Sequence, residues 1–170
     1  MNTANIRFTN QKQASARVHL QQLQNALSVE TSDASRTLIN THCQAVIFDL
    51  ILACHAFMQE IAGDYQQSIA IGGSYADLAL LLNESDAVCQ HCTWLAELES
   101  QQNSWLNWLQ NEYHKCWRGS ISNSSVHYVK DANLIVFNDV TSMKDEDRLQ
   151  VCFEELELVV TQYRQLMQEW

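Results

Sequence analysis

The sequence predicts an all-α protein: one helical-bundle domain, residues 1–170, with about five to six helices around a central apolar helix. Three observations carry this. Proline is absent and glycine occurs only four times in 170 residues, so almost nothing interrupts a helix. The stretch Ala45–Met58, AVIFDLILACHAFM, is apolar on nearly every side and has to be covered on nearly every side. Near the C-terminus Leu149, Cys152, Leu156, Val159, Tyr163, Leu166 and Trp170 recur at alternating steps of three and four, as a bundle seam requires.

A first helix is expected over about Asn5–Ser28, with Ala16, Leu20, Leu23 and Leu27 as its apolar stripe. Gln11, Gln13, Gln21 and Gln22 belong to its opposite, polar side. Glu30–Ala34 is a polar break, and Ser32 or Asp33 can cap the second helix. This central helix runs from about Ser35 to Ala62 and stops at Gly63. At about 100° per residue, His42, Asp49 and Glu60 share one narrow strip, while Gln44, His55 and Gln59 share another. Val46, Ile47, Leu50, Ile51, Cys54, Phe57, Met58 and Ile61 fill the apolar faces between them. The polar seams are the best positions for chemistry, and they are also what a buried helix needs for hydrogen bonds to its neighbours. Ile51 and Cys54 are expected to be buried, Glu60 and Asp64 exposed.

Gly72-Gly73-Ser74 is the strongest punctuation, and Ser74 with Asp77 forms a capping-box pattern that starts a short helix over Tyr75–Asn83. Ser85 is read as the cap of the next helix, Asp86–Glu99, with Val88, Cys92 and Leu95 inward. After the polar break Ser100–Asn103 comes Ser104–Arg118, where Trp105, Leu109, Glu112 and Cys116 share a side and Leu106, Tyr113 and Trp117 broaden the apolar arc. Ser120–Thr141 differs in kind. VHYV and LIVF are short β-prone runs around KDAN, the pattern of a hairpin or extended arm. The last helix begins at a Ser142 cap, and Phe153, Val160 and Met167 widen its seam.

Charge and targeting signals exclude several functions. A net charge of −10, spread over several helices, repels phosphate backbones and argues against a nucleic-acid partner. The opening MNTANIRFTNQK has no apolar targeting core, and the 45–58 run is too short for a span and carries Asp49 and His55. A cytoplasmic protein with six reduced thiols and no membrane association is the expectation.

The segments FTNQK and ARVHL near the start, AFMQEIA closing the central helix, LALLL, LAELES and SWL in the middle, and the terminal MQEW resemble a family of small bacterial proteins. That family is known only as a domain of unknown function. The resemblance covers nearly the whole chain, implies a helical domain and brings no activity with it.

Few residues offer candidate chemistry. Cys89-x-His91-Cys92 and His114-x-Cys116 suggest zinc, but residues two apart on a helix point about 200° away from each other, so no metal is expected. The Gly72-Gly73-Ser74 turn lacks the lysine of a phosphate loop. Arg36 and His42 have the spacing found in helical HEPN-type ribonucleases, with histidine as base and arginine on the phosphate. That is the alternative function. The principal expectation is a non-catalytic interaction module without cofactor, acting as a homodimer or in a complex with a protein partner. Its contact residues would be Trp105 and Trp108, three apart on one arc, together with Tyr128, Ile135 and Phe137 of the arm.

Overall fold

The computed structural model describes residues 3–28, 33–118 and 144–169. Among them are helices α1 (Thr3–Leu27), α2 (Asp33–Asp64), α3 (Tyr75–Glu84), α4 (Gln90–Ser100), α5 (Trp105–Trp117) and α6 (Asp145–Gln168), and no strand. The expected hairpin or arm over Ser120–Thr141 lies outside the described residues.

The central helix is where its apolarity requires. α2 touches α1, α3, α5 and α6. Val46, Leu50, Phe57 and Ile61 are fully enclosed, and Ile51 and Cys54 are 4% exposed. By length and composition α2 could also cross a membrane, but 72% of its most apolar window is already buried against the other helices. Paired residues give the directions. Thr9 meets Glu60 and Ser15 meets Asp49, so α1 runs antiparallel to α2. Arg164 meets Glu60, while the carboxylates of Asp145 and Glu146 act on Cys43, so α6 runs parallel to α2. Cys152 reaches the Trp105 carbonyl and Arg148 lies over the Trp108 ring, so α5 returns antiparallel to α6. Four long helices thus alternate around one core, and α3 and α4 form a hairpin packed on α2 and α5.

Several boundaries depart from the sequence expectation for identifiable reasons. Ser85 does not cap α4. Its hydroxyl donates to the carbonyls of Leu81 and Leu82 and closes the end of α3. α4 starts four residues later than expected, at Gln90, and the Cys89 sulfur accepts the Cys92 N–H as its cap. Val88, expected inward, is therefore in the turn and 76% exposed. The last helix begins at Asp145 with Lys144 in the cap position and no side-chain cap bond, while Ser142 lies outside the described residues. On α1 the buried stripe runs Thr9, Gln13, Ala16, Leu20, Leu23 and Ala26, so Gln13 belongs to the inner side and Leu27 is exposed. The Ser74–Asp77 capping box is present in full, and Gly72 before it has φ +85°, a conformation that favours glycine.

Candidate functional site

The first polar seam of α2 faces α1 and α6. Asp49 is 8% exposed and is met from α1 by the Ser15 hydroxyl at 2.6 Å and the Lys12 ammonium at 3.4 Å. His19 Nε2 lies 3.9 Å from the same carboxylate, and the His19 and His42 rings stand 5.9 Å apart. Eleven residues further on, Glu60 is fully buried, which corrects the expectation that it would be exposed. A long acidic side chain near a helix end reads as solvated, but here Arg164 supplies two N–H bonds at 2.7 and 2.8 Å and Thr9 a third bond at 3.1 Å. Arg164 also donates to Asn10, and Asp64, half-buried, accepts from the Tyr163 hydroxyl at 3.1 Å. The Ser15 hydroxyl donates to the Asp49 carboxylate and not to a histidine.

The second seam carries Gln59, which donates to the Ile69 carbonyl, and His55, half-buried near Glu99. Burial holds the His55 pKa below the ordinary histidine value, and the Glu99 charge opposes this only in part. The thiols are similarly governed by their surroundings. Burial, followed by the charges of Glu146, Asp145 and Cys116, pushes Cys43 up to about 12. Burial pushes Cys152 up to about 12 as well. A neutral thiol is a poor nucleophile and a poor metal ligand. The His91 and Tyr163 rings stand edge to face, 5.7 Å apart between centroids, and His114 is exposed on α5. Among the described residues no group of three His, Cys, Asp or Glu side chains is placed to hold a metal ion.

The other expected site residues fall apart spatially. Arg36 is exposed, whereas His42 is half-buried against His19. Six positions along a helix leave two side chains about 120° apart around the axis, so this pair does not converge. Trp105 and Trp108 are half-buried against the core, and Arg148 covers the Trp108 ring at 5.6 Å. Tyr128, Ile135 and Phe137 lie outside the described residues.

A different aromatic group is open. Phe48 of α2 meets Tyr113 and Trp117 of α5 edge to face at 5.3 and 6.0 Å, and Tyr113 meets Trp117 at 6.1 Å. Trp117 is nonetheless 69% exposed, and Leu52, one turn along α2 from Phe48, is 39% exposed. Three rings held in a mutual edge-to-face triangle make a preorganised apolar platform. Its signal in the sequence is two i, i+4 apolar pairs, Phe48/Leu52 and Tyr113/Trp117, but by pattern alone the Trp117 end reads as part of the core.

Comparison with known proteins adds one finding. A family model described as a family of unknown function (DUF6586) matches residues 1–170. No curated protein and no solved structure matches the chain. A match over the full length identifies the chain as a member of this family of unknown function.

Proposed function

We propose that the protein is a non-catalytic, cytoplasmic interaction module that pairs with a second copy of itself through the Phe48–Leu52–Tyr113–Trp117 surface. The observation that carries this is Trp117, 69% exposed yet fixed by two edge-to-face ring contacts. Tryptophan is among the side chains most often found dominating an interface. A second copy presents the same patch, so a two-fold axis through it buries both at once. The net charge of −10 disfavours nucleic acid as the partner. The ribonuclease reading has less support, because Arg36 and His42 diverge on α2 and His42 faces His19.

Sedimentation equilibrium on the purified chain tests this. A dimer is expected, and Trp117→Ala should weaken it by about 2 kcal/mol or more, roughly 30-fold in Kd. A wild-type monomer at high concentration, or a dimer indifferent to both Trp117→Ala and Leu52→Ser, would overturn it.

A further inference from the structure

Leu38, Thr41, Ala45, Phe48 and Leu52 recur along α2 at steps of three, four, three and four, the spacing of a helix–helix contact. Elsewhere on α2 the apolar faces are enclosed, with Val46, Leu50, Phe57 and Ile61 fully buried. This seam is open. Leu38 is 48% and Leu52 39% exposed, Thr41 is exposed, and Ala45 and Phe48 are half-buried. α1 flanks it on one side, where Ser15 meets Asp49. α5 flanks it on the other, where Tyr113 and Trp117 meet Phe48. None of the described helices lies over it.

The occupant follows from charge and from sequence order. A chain with a net charge of −10 repels its own copies over most of its surface, so self-association needs an uncharged face. The open seam carries no charge, and beside it Asp49 is neutralised by Lys12 at 3.4 Å. The seam also reads nearly the same in both directions. Leu38 stands seven residues before Ala45 and Leu52 seven after it, while Thr41 stands four before and Phe48 three after. Two copies laid antiparallel about Ala45 bring Leu38 against Leu52 twice and Thr41 against Phe48 twice. The small Ala45 faces itself and lets the two helices approach closely. A parallel arrangement would set Phe48 against Phe48 next to Ala45 against Ala45, a thick layer beside a thin one. The antiparallel arrangement matches the large ring with a smaller side chain and evens the layers.

We propose that two copies of the chain pair antiparallel along this seam of α2, with the two-fold axis beside Ala45. This rests on the self-pairing proposed above and adds which residues meet. Leu38 packs on Leu52 of the second copy, and Phe48 packs on Thr41 of the second copy. An antiparallel two-fold keeps α1 beside α1 and α5 beside α5. Each Trp117 is seated on a Phe48 one turn from Ala45, so both tryptophans close the same rim of the contact.

A charge swap read by sedimentation equilibrium of the full chain tests the axis. Leu38 and Leu52 both reach solvent, so Leu38→Glu and Leu52→Lys leave the fold intact, which far-UV melting checks. Each variant alone should raise the dimer Kd about 100-fold or more, because it sets an unpaired charge against leucine of the other copy. An equimolar mixture of the two variants should pair again, within about tenfold of wild type. One of its two contacts joins opposite charges and the other remains leucine on leucine. In a parallel arrangement each position faces itself, and the mixture brings no opposite charges together. A wild-type chain that stays monomeric at high concentration overturns this proposal and the self-pairing reading together. A dimer weakened by Trp117→Ala but indifferent to both leucine variants overturns the axis and leaves self-pairing standing. A mixture no tighter than either variant alone overturns the antiparallel arrangement.

Discussion

Arg164→Met is the substitution that tests most directly how this bundle is held. Glu60 has no exposed surface, and the Arg164 side chain is 21% exposed. Two of the three hydrogen bonds that reach the Glu60 carboxylate come from Arg164. Removing it leaves a buried carboxylate held only by Thr9. Breaking one partner of a buried pair costs about 3–5 kcal/mol, and the partial exposure of Arg164 argues for the lower end, about 3 kcal/mol. With a urea m-value of about 2 kcal/mol per molar, the midpoint should fall by about 1.5 M at unchanged slope. Replacing both partners, Glu60→Leu with Arg164→Met, should recover most of that loss, since an apolar pair of similar size leaves no uncompensated charge. The Arg17–Glu157 pair is a useful contrast, because its side chains are 63% and 37% exposed and Arg17→Met should cost at most about 1 kcal/mol. A loss below about 1 kcal/mol for Arg164→Met, or a double variant no more stable than the single one, would refute this account of Glu60.

Two further outcomes are expected. Ile51→Asp should abolish the cooperative far-UV melting transition, because an unpaired charge at a position 4% exposed costs several kcal/mol; a folded, soluble variant would show that α2 is not the inner helix. His55 is held neutral by burial, so its folded pKa lies below its unfolded one, and the stability it contributes is present above the unfolded value of about 6.5 and is lost as pH falls through the folded one. The urea midpoint should accordingly drop between pH 7.5 and 5.5, and His55→Gln should reduce that drop, leaving the share of His91, whose pKa burial also lowers; identical pH profiles for wild type and variant would refute it.

The features legible in the sequence are those a single helix decides for itself. Ala45–Met58 has no polar side wide enough to face water, so its central place comes from its own side chains. The same holds for Leu149 to Tyr163, all of whose seam positions are buried. Whatever depends on a distant partner was not legible. Glu60 is buried because Arg164, 104 positions later, and Thr9, 51 positions earlier, come to it. Gln13 is inside because it stands seven residues before Leu20, in phase with the buried stripe, as Gln11 does not; its polarity, not its position, hid this. Ser85 has the right chemistry for a helix cap, but the carbonyls ending α3 are nearer than the amides starting α4. The open face of Trp117 is hidden for the opposite reason, since an i, i+4 aromatic pair on a short helix carries no mark of whether a neighbour covers it.

The polar seam answers a question that the apolar helix raises. A helix that is apolar all round gains nearly the same burial when it slides by a turn, about 5.4 Å, or rotates against its neighbours. Leucine and isoleucine contacts alone do not distinguish these states. Asp49 and Glu60 do. They lie eleven residues apart, about three turns, and each meets groups on α1 that match only in one register: Lys12 and Ser15 with Asp49, Thr9 with Glu60. A one-turn slip of α1 on α2 would part both carboxylates from these partners at once. Arg164 extends the same condition to α6, because its guanidinium bonds Glu60 and Asn10 together. Two buried carboxylates that add little to net stability thus select one arrangement of three helices from several of similar apolar burial.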